Sequence, residues 1–302
     1  MAKTTVVLNP IAGRGAGARL SSRIDARLRD LGLDFDLVTT EAPGHATALA
    51  EEAALRGREL VVAVGGDGTS NEVLNGLVRA SSDANGTALA ILPIGTGNDF
   101  AFGAGVPLEL EKACQAVARA QGRCIDVGHV VADNEDALYF GNGVGIGFDA
   151  VVNMESRKLK RLRGFLVYLV AVFRTLAFYY SAPETRLCVD EREIVQPSLM
   201  ISVMNGYRFG GGFHVTPGSK MDDGLFDLCV TPKISRPEMV AFVPRFMRGS
   251  HTTDPRITMV QGRKVVVTSA SPWMAHVDGE IYGVGASHFE IELLPQRLHL
   301  IT

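Results

Sequence analysis

An α/β chain of two domains is predicted: an N-terminal domain on a doubly wound parallel sheet, then a C-terminal antiparallel β-sandwich-like domain. Three observations predict it. Apolar strand-like runs alternate with helical segments as far as about residue 119, the texture changes to short β-rich runs after Asp126, and the 302 residues exceed the usual reach of one hydrophobic core.

The first half reads as βαβα. Apolar runs at residues 5–8, 35–38, 60–64 and 88–92 are separated by segments of helical spacing at 16–31, 45–56, 70–79 and 109–120, the pattern of a parallel sheet covered on both faces. In the first of these helices Leu20, Ile24, Leu28 and Leu31 recur at steps of three or four, and Gly32 stands where it should stop. After Asp126, strand-like runs at 137–141, 185–189, 198–204, 225–230, 264–267 and 288–293 are divided by Gly, Asp-Gly and Pro turns, with helical stretches at 155–180 and 236–246. The expected domains are 1–126 and 127–295, with residues 296–302 returning to the first domain as a strand.

Composition narrows the partners. At 46% hydrophobic, 21% charged and a formal net charge of -3, the chain has neither the makeup of a disordered protein nor the positive footprint of a nucleic-acid binder, so no nucleic-acid partner is expected. Cys114, Cys124, Cys188 and Cys229 form no C-x-x-C pair and the seven histidines are scattered, so a zinc site, a disulfide framework and a metallohydrolase are not indicated. Reduced thiols and a start without a signal-peptide pattern lead to a cytoplasmic expectation. Residues 164–180 are apolar and aromatic but interrupted by Arg174. Three readings stand for them: a buried or half-buried helix, an amphipathic helix facing a membrane, or a transmembrane helix of marginal length. The basic run 157–163 just before them is either a solvated face or a patch for anionic headgroups.

Three turns carry the chemistry. Asn9-Pro10-Ile11-Ala12-Gly13, followed by Arg14, Gly15 and Gly17, closes the first strand and opens the first helix, where free backbone N–H groups meet anions. It is no Walker A loop, since the Gly-Lys-Ser/Thr ending is missing. Gly65-Gly66-Asp67-Gly68-Thr69-Ser70-Asn71 follows the third strand. Asp67 there suits magnesium, and Thr69 and Asn71 suit phosphate oxygens. A third turn, residues 93–101, follows the fourth strand and offers Thr96, Asn98 and Asp99. Facing one another across adjacent strands, the second and third turns would build a phosphate cradle whose carboxylates, Asp67 and Asp99, can hold magnesium and whose dipoles neutralise developing charge.

In this order and spacing the three turns resemble the catalytic domain shared by diacylglycerol, sphingosine and ceramide kinases, the soluble bacterial lipid kinases above all. The resemblance continues through residues 140–150, 220–227 and 277–280. It implies an ATP- and Mg2+-dependent kinase whose partner is a lipid with a free hydroxyl, such as diacylglycerol; the basic run 157–163 and the apolar stretch after it leave peripheral contact with a membrane open. A homodimer stays open. ATP is implied at Asn9, Pro10, Ile11, Ala12, Gly13, Thr40, Gly65, Gly66, Asp67, Gly68, Thr69, Ser70, Asn71, Thr96 and Asp99. Asp67, Asp99 and Asp126 are implied as a carboxylate network around the nucleotide magnesium. A second magnesium is implied at the carbonyls of Lys220 and Leu225 and the carboxylate of Asp223. The implied proton acceptor is Glu280, with Asp278 beside it, on a turn that would otherwise read as an Asp-Gly hairpin. One departure is Phe102, where many relatives carry Arg. Two other readings compete: an NAD-kinase-like activity, because the second turn also suits it, and a nucleotide-binding regulator with weak or no turnover.

Overall fold

The computed structural model describes residues 3–81, 86–133, 135–159, 162 and 165–302. Lys160, Arg161, Arg163 and Gly164, which belong to the basic run and to the start of the apolar stretch, lie outside the described residues. The chain forms two compact units, Met1–Val127 with Pro295–Thr302, and Gly128–Leu294.

In the first unit the chain runs β1 (Thr4–Leu8), α1 (Ala12–Asp30), β2 (Phe35–Thr39), α2 (His45–Leu55), β3 (Leu60–Gly65), α3 (Asp67–Ala80), β4 (Ala88–Pro93), α4 (Asp99–Gly103) and α5 (Leu110–Arg119). The strands lie in the order β2-β1-β3-β4, all parallel, with Leu8 paired to Thr39 and Val64, and Val64 to Leu92. Every residue of β1, β3 and β4 is buried, so helices must cover both faces. Accordingly α2 packs on α3 and α1 on α5, and Ile24, Leu28 and Val117 join Val6, Leu8, Val62, Val64 and Leu92 in one core. Leu300 adds a parallel pair at Leu89, and the Thr302 amide donates to Gln121 O. Parallel pairing has a positional consequence: the turns after β1, β3 and β4 all emerge at one edge of the sheet.

The second unit is antiparallel. Its strands are taken from β5 (Gly122–Ala132), β6 (Leu138–Phe140), β7 (Gly143–Gly147), β8 (Glu184–Val189), β9 (Arg192–Met204), β10 (Arg208–Phe209), β11 (Phe213–His214), β12 (Phe226–Pro232), β13 (Thr258–Gly262), β14 (Lys264–Val277) and β15 (Glu280–Ile301). The order β13-β12-β9-β7-β14 is flanked by β8 on β9 and β14, by β6 on β5, and by β15 on β14. Alternation along β9 splits two cores: Ile201 and Val203 pack with Phe226, Val265 and Phe289, whereas Met200 and Met204 pack with Val172, Leu176, Phe242 and Phe246.

The helical stretch expected over 155–180 is two helices, α6 (Phe148–Lys158) and α7 (Phe165–Phe178); α8 (Arg236–Arg248) follows. Among the described residues no helix is long and apolar enough to cross a membrane. Val167, Ala171, Val172 and Leu176 of α7 are buried, and Leu166, Phe173 and Phe178 are exposed.

Candidate active site

The first turn is held at both ends. The Asn9 amide donates to Val64 O at 3.0 Å, its Oδ1 accepts from the Ile11 amide at 3.1 Å, and its Nδ2 donates to Thr69 Oγ1 at 2.9 Å. The Pro10 carbonyl accepts from the Ala18 amide. Within α1, Gly13, Arg14 and Gly15 are successively left-handed (φ 57, 58 and 82°), so the regular helix begins only at Ala16, and the Gly15 amide closes the turn by donating to Ile11 O at 3.0 Å. Gly13 is required twice over: besides its φ, a Cβ there would lie 2.2 Å from Ile94 O, so the first and third turns are in contact. Ile11 points to solvent, while Thr40, at the end of β2, is buried and its amide donates to Leu8 O.

The second and third turns touch through backbone. A Cβ on Gly95 would come within 2.5 Å of Gly66 Cα, and the Ile94 amide donates to Gly65 O at 2.8 Å. Asn98 closes the third turn on itself, accepting from the Gly95 amide and donating to its carbonyl, both at 3.0 Å. Asp67 opens α3, with Gly68 after it in the same turn, and its Oδ1 accepts from the Phe100 amide at 3.1 Å. Its Oδ2 and that of Asp99 both border Gly97, where a Cβ would lie 2.9 and 3.4 Å from them. Two carboxylate oxygens therefore crowd the Gly97 backbone too closely for a side chain there, and hard oxygen donors of this kind fit magnesium. Thr96 is exposed beside Gly97.

Some expected ligands are engaged elsewhere. Among the described residues no three His, Cys, Asp or Glu side chains group as a metal site. Asp126 is fully buried, and its Oδ1 accepts from the Gln296 amide at 2.7 Å. Asn71 is buried within α3 and its Oδ1 accepts from Asn75 Nδ2, and Ser70 is buried with it. Thr69, by accepting from Asn9, keeps its own proton to donate. In the second unit, Lys220 and Asp223 are exposed and Leu225 is half-buried; Asp223 Oδ1 accepts from the Leu225 amide at 3.1 Å. Close by in sequence, burial pushes the Asp227 carboxyl above its ordinary 3.8.

Asp278 and Gly279 form the two-residue turn between β14 and β15, with φ 47 and 87° and Val277 paired to Glu280, the twist that favours hairpins. The two acids differ sharply. Glu280 is exposed, whereas Asp278 is buried and accepts from three successive amides, Gly141 at 2.8 Å, Asn142 at 2.9 Å and Gly143 at 2.8 Å. The carboxylate of Asp278 thus anchors the turn, and that of Glu280 is the one presented outward. Sequence reading missed Asn153 and Arg157, which both donate to the Gly279 carbonyl at 2.7 Å. Their i, i+4 spacing puts them on one face of α6, but Arg157 is easily absorbed into the basic run.

Comparison with known proteins agrees with this layout. Residues 3–130 match the diacylglycerol kinase catalytic domain, and residues 142–302 match the YegS C-terminal NAD kinase beta sandwich-like domain. The diacylglycerol kinase of Bacillus subtilis (strain 168) is 30% identical over 293 residues, 96% of this chain and 93% of that protein. A diacylglycerol kinase of Mycobacterium tuberculosis (strain ATCC 25618 / H37Rv) is 28% identical over 266 residues, 88% of this chain and 84% of that one. Among solved structures, a diacylglycerol kinase from Bacillus anthracis str. Sterne superposes with a TM-score of 0.74 at 22% identity, covering 99% of this chain and 96% of that one.

Proposed function

Because this chain belongs to the diacylglycerol kinase family of lipid kinases, we propose that it transfers the γ-phosphoryl group of ATP to a hydroxyl of diacylglycerol or a related lipid. The observation that carries the reading is the pair of carboxylate oxygens, Asp67 Oδ2 and Asp99 Oδ2, that border the Gly97 backbone where the turns after β1, β3 and β4 meet.

The first turn, at Gly13 and Arg14, and the start of α3 offer backbone N–H groups to the phosphates, with the exposed Thr96 as a further donor. Asp67 and Asp99 would hold magnesium, which supplies charge compensation for the phosphate oxygens during transfer. Glu280 receives the proton of the lipid hydroxyl; since the transition state is loose, its main task is to orient that hydroxyl. Asp278 keeps the Glu280 turn in place from beneath. The exposed Leu166, Phe173 and Phe178 of α7 support peripheral contact with the membrane that holds the lipid, at the cytoplasmic face.

The test is transfer of label from [γ-32P]ATP to diacylglycerol in mixed micelles, with a panel of other lipids and NAD in parallel and the product separated by chromatography. Labelled phosphatidic acid is expected. Labelling of NAD alone, or ATP binding without label on any lipid, would overturn the proposal.

A further inference from the structure

Arg157 stands in the last turn of α6, at the head of the basic run that the sequence leaves between solvent and lipid headgroups. Its guanidinium is committed to the hairpin. Nη2 donates to the Gly279 carbonyl at 2.7 Å and to Glu280 Oε2 at 2.8 Å, and Nε donates to Asn153 Oδ1 at 3.3 Å. Asn153 Nδ2 reaches the same Gly279 carbonyl at 2.7 Å. The turn beneath is fixed independently, by the three amides on Asp278 and by the Gly279 amide, which donates to His276 Nδ1 at 3.3 Å while His276 Nε2 lies 3.4 Å from Asp149 Oδ2. Among the described residues, Glu280 Oε1 makes no hydrogen bond or ion pair.

The geometry points to Arg157 as a positioning residue for the proton acceptor: it ties Glu280 Oε2 to the fixed Gly279 carbonyl and so turns Oε1 toward an incoming hydroxyl. The inference rests on the reading of Glu280 as that acceptor. A planar guanidinium suits the task, because its donors meet Asn153, Gly279 and Glu280 at set angles, which the rotating ammonium of a lysine cannot do. The side chains of Arg157 and Glu280 are 47% and 53% exposed, so the pair adds little to folding. What it contributes is the orientation of one carboxylate, and misorientation of a reacting group is expensive in rate.

The test measures kcat and KM for ATP on the full chain for R157M, R157K, E280Q and the R157M/E280Q double variant, with thermal unfolding followed throughout. R157M is expected to lower kcat at least tenfold with KM for ATP unchanged, and R157K to recover only part of the loss. In the E280Q background R157M should add no further loss. If E280Q is inactive while R157M and R157K both turn over like the parent, the positioning role is overturned. Should R157M unfold, R157K decides by the same kcat and KM readouts. Turnover retained by E280Q would instead remove the proton acceptor on which the inference stands.

Discussion

Replacing Asp278 by asparagine separates anchoring from chemistry in the hairpin. The carboxylate accepts from three buried amides at 2.8, 2.9 and 2.8 Å. An asparagine keeps one oxygen, best placed where Oδ1 now serves Asn142 and Gly143, and sets its NH2 group against the Gly141 amide. One buried N–H then loses its acceptor, at about 1–3 kcal/mol, and the two remaining bonds fall from charged to neutral strength, about 0.5–1 kcal/mol each. The left-handed φ of 47° is one that asparagine tolerates, so backbone strain does not enter. The total of about 2–5 kcal/mol corresponds to a fall in Tm of roughly 5–15 °C for a unit of this size. The chain's one tryptophan, Trp273, is buried in β14 of the same unit, so its fluorescence during urea unfolding reports the loss directly. Glu280→Gln, on an exposed side chain, should unfold within ~1 kcal/mol of the parent. Equal stability of Asp278→Asn and the parent, or an equal loss in Glu280→Gln, would refute the assignment of Asp278 as the anchor.

Asp67→Asn retains an oxygen for the Phe100 amide but not the charge beside Gly97; calorimetry should show magnesium-dependent ATP binding weakened at least ~10-fold with Tm nearly unchanged. Gly97→Ala places a methyl 2.9 Å from Asp67 Oδ2 and should reduce the same binding in a folded protein, as judged by circular dichroism. Burial pushes the Cys114 thiol up to about 11 and the Cys229 thiol up to about 12, from 9.0. Both should therefore resist a disulfide reagent until unfolding, while the partly exposed Cys124 and Cys188 react. Their raised folded values also mean that stability is unaffected below pH 9 and declines as pH rises from about 9 toward 12, which urea unfolding at several pH values would show.

The architecture was legible where burial is symmetric. Strands β1, β3 and β4 are covered on both faces, which writes them as continuous apolar runs, and the Asp-Gly pair marks its own hairpin. Strand β7 was not legible as a strand. Its glycines lack β propensity, and Gly145 is needed because a Cβ there would lie 2.4 Å from both Asp149 Oδ2 and His276 Nε2, a demand set by residues distant in sequence. The three turns were visible because each follows a strand. The partner of an acid outside them was not: Asp126, in β5, accepts from an amide 170 positions away. Glu72 directly follows the second turn in sequence, and its two oxygens accept from the Gly44 and Ala46 amides and so cap α2. Local pattern locates such residues; which partner they serve is decided by the folded chain.

The pairing of Leu300 with Leu89 makes synthesis order matter. On the ribosome β4 emerges long before residues 295–302, and all of Gly128–Leu294 is translated in between. Through that interval β4, bonded only to β3 on one side, leaves the hydrogen-bonding groups of its other edge open, a template for pairing with other nascent chains. A truncation of the last eight residues would make that transient exposure permanent, with inclusion bodies rather than a slower enzyme as its signature.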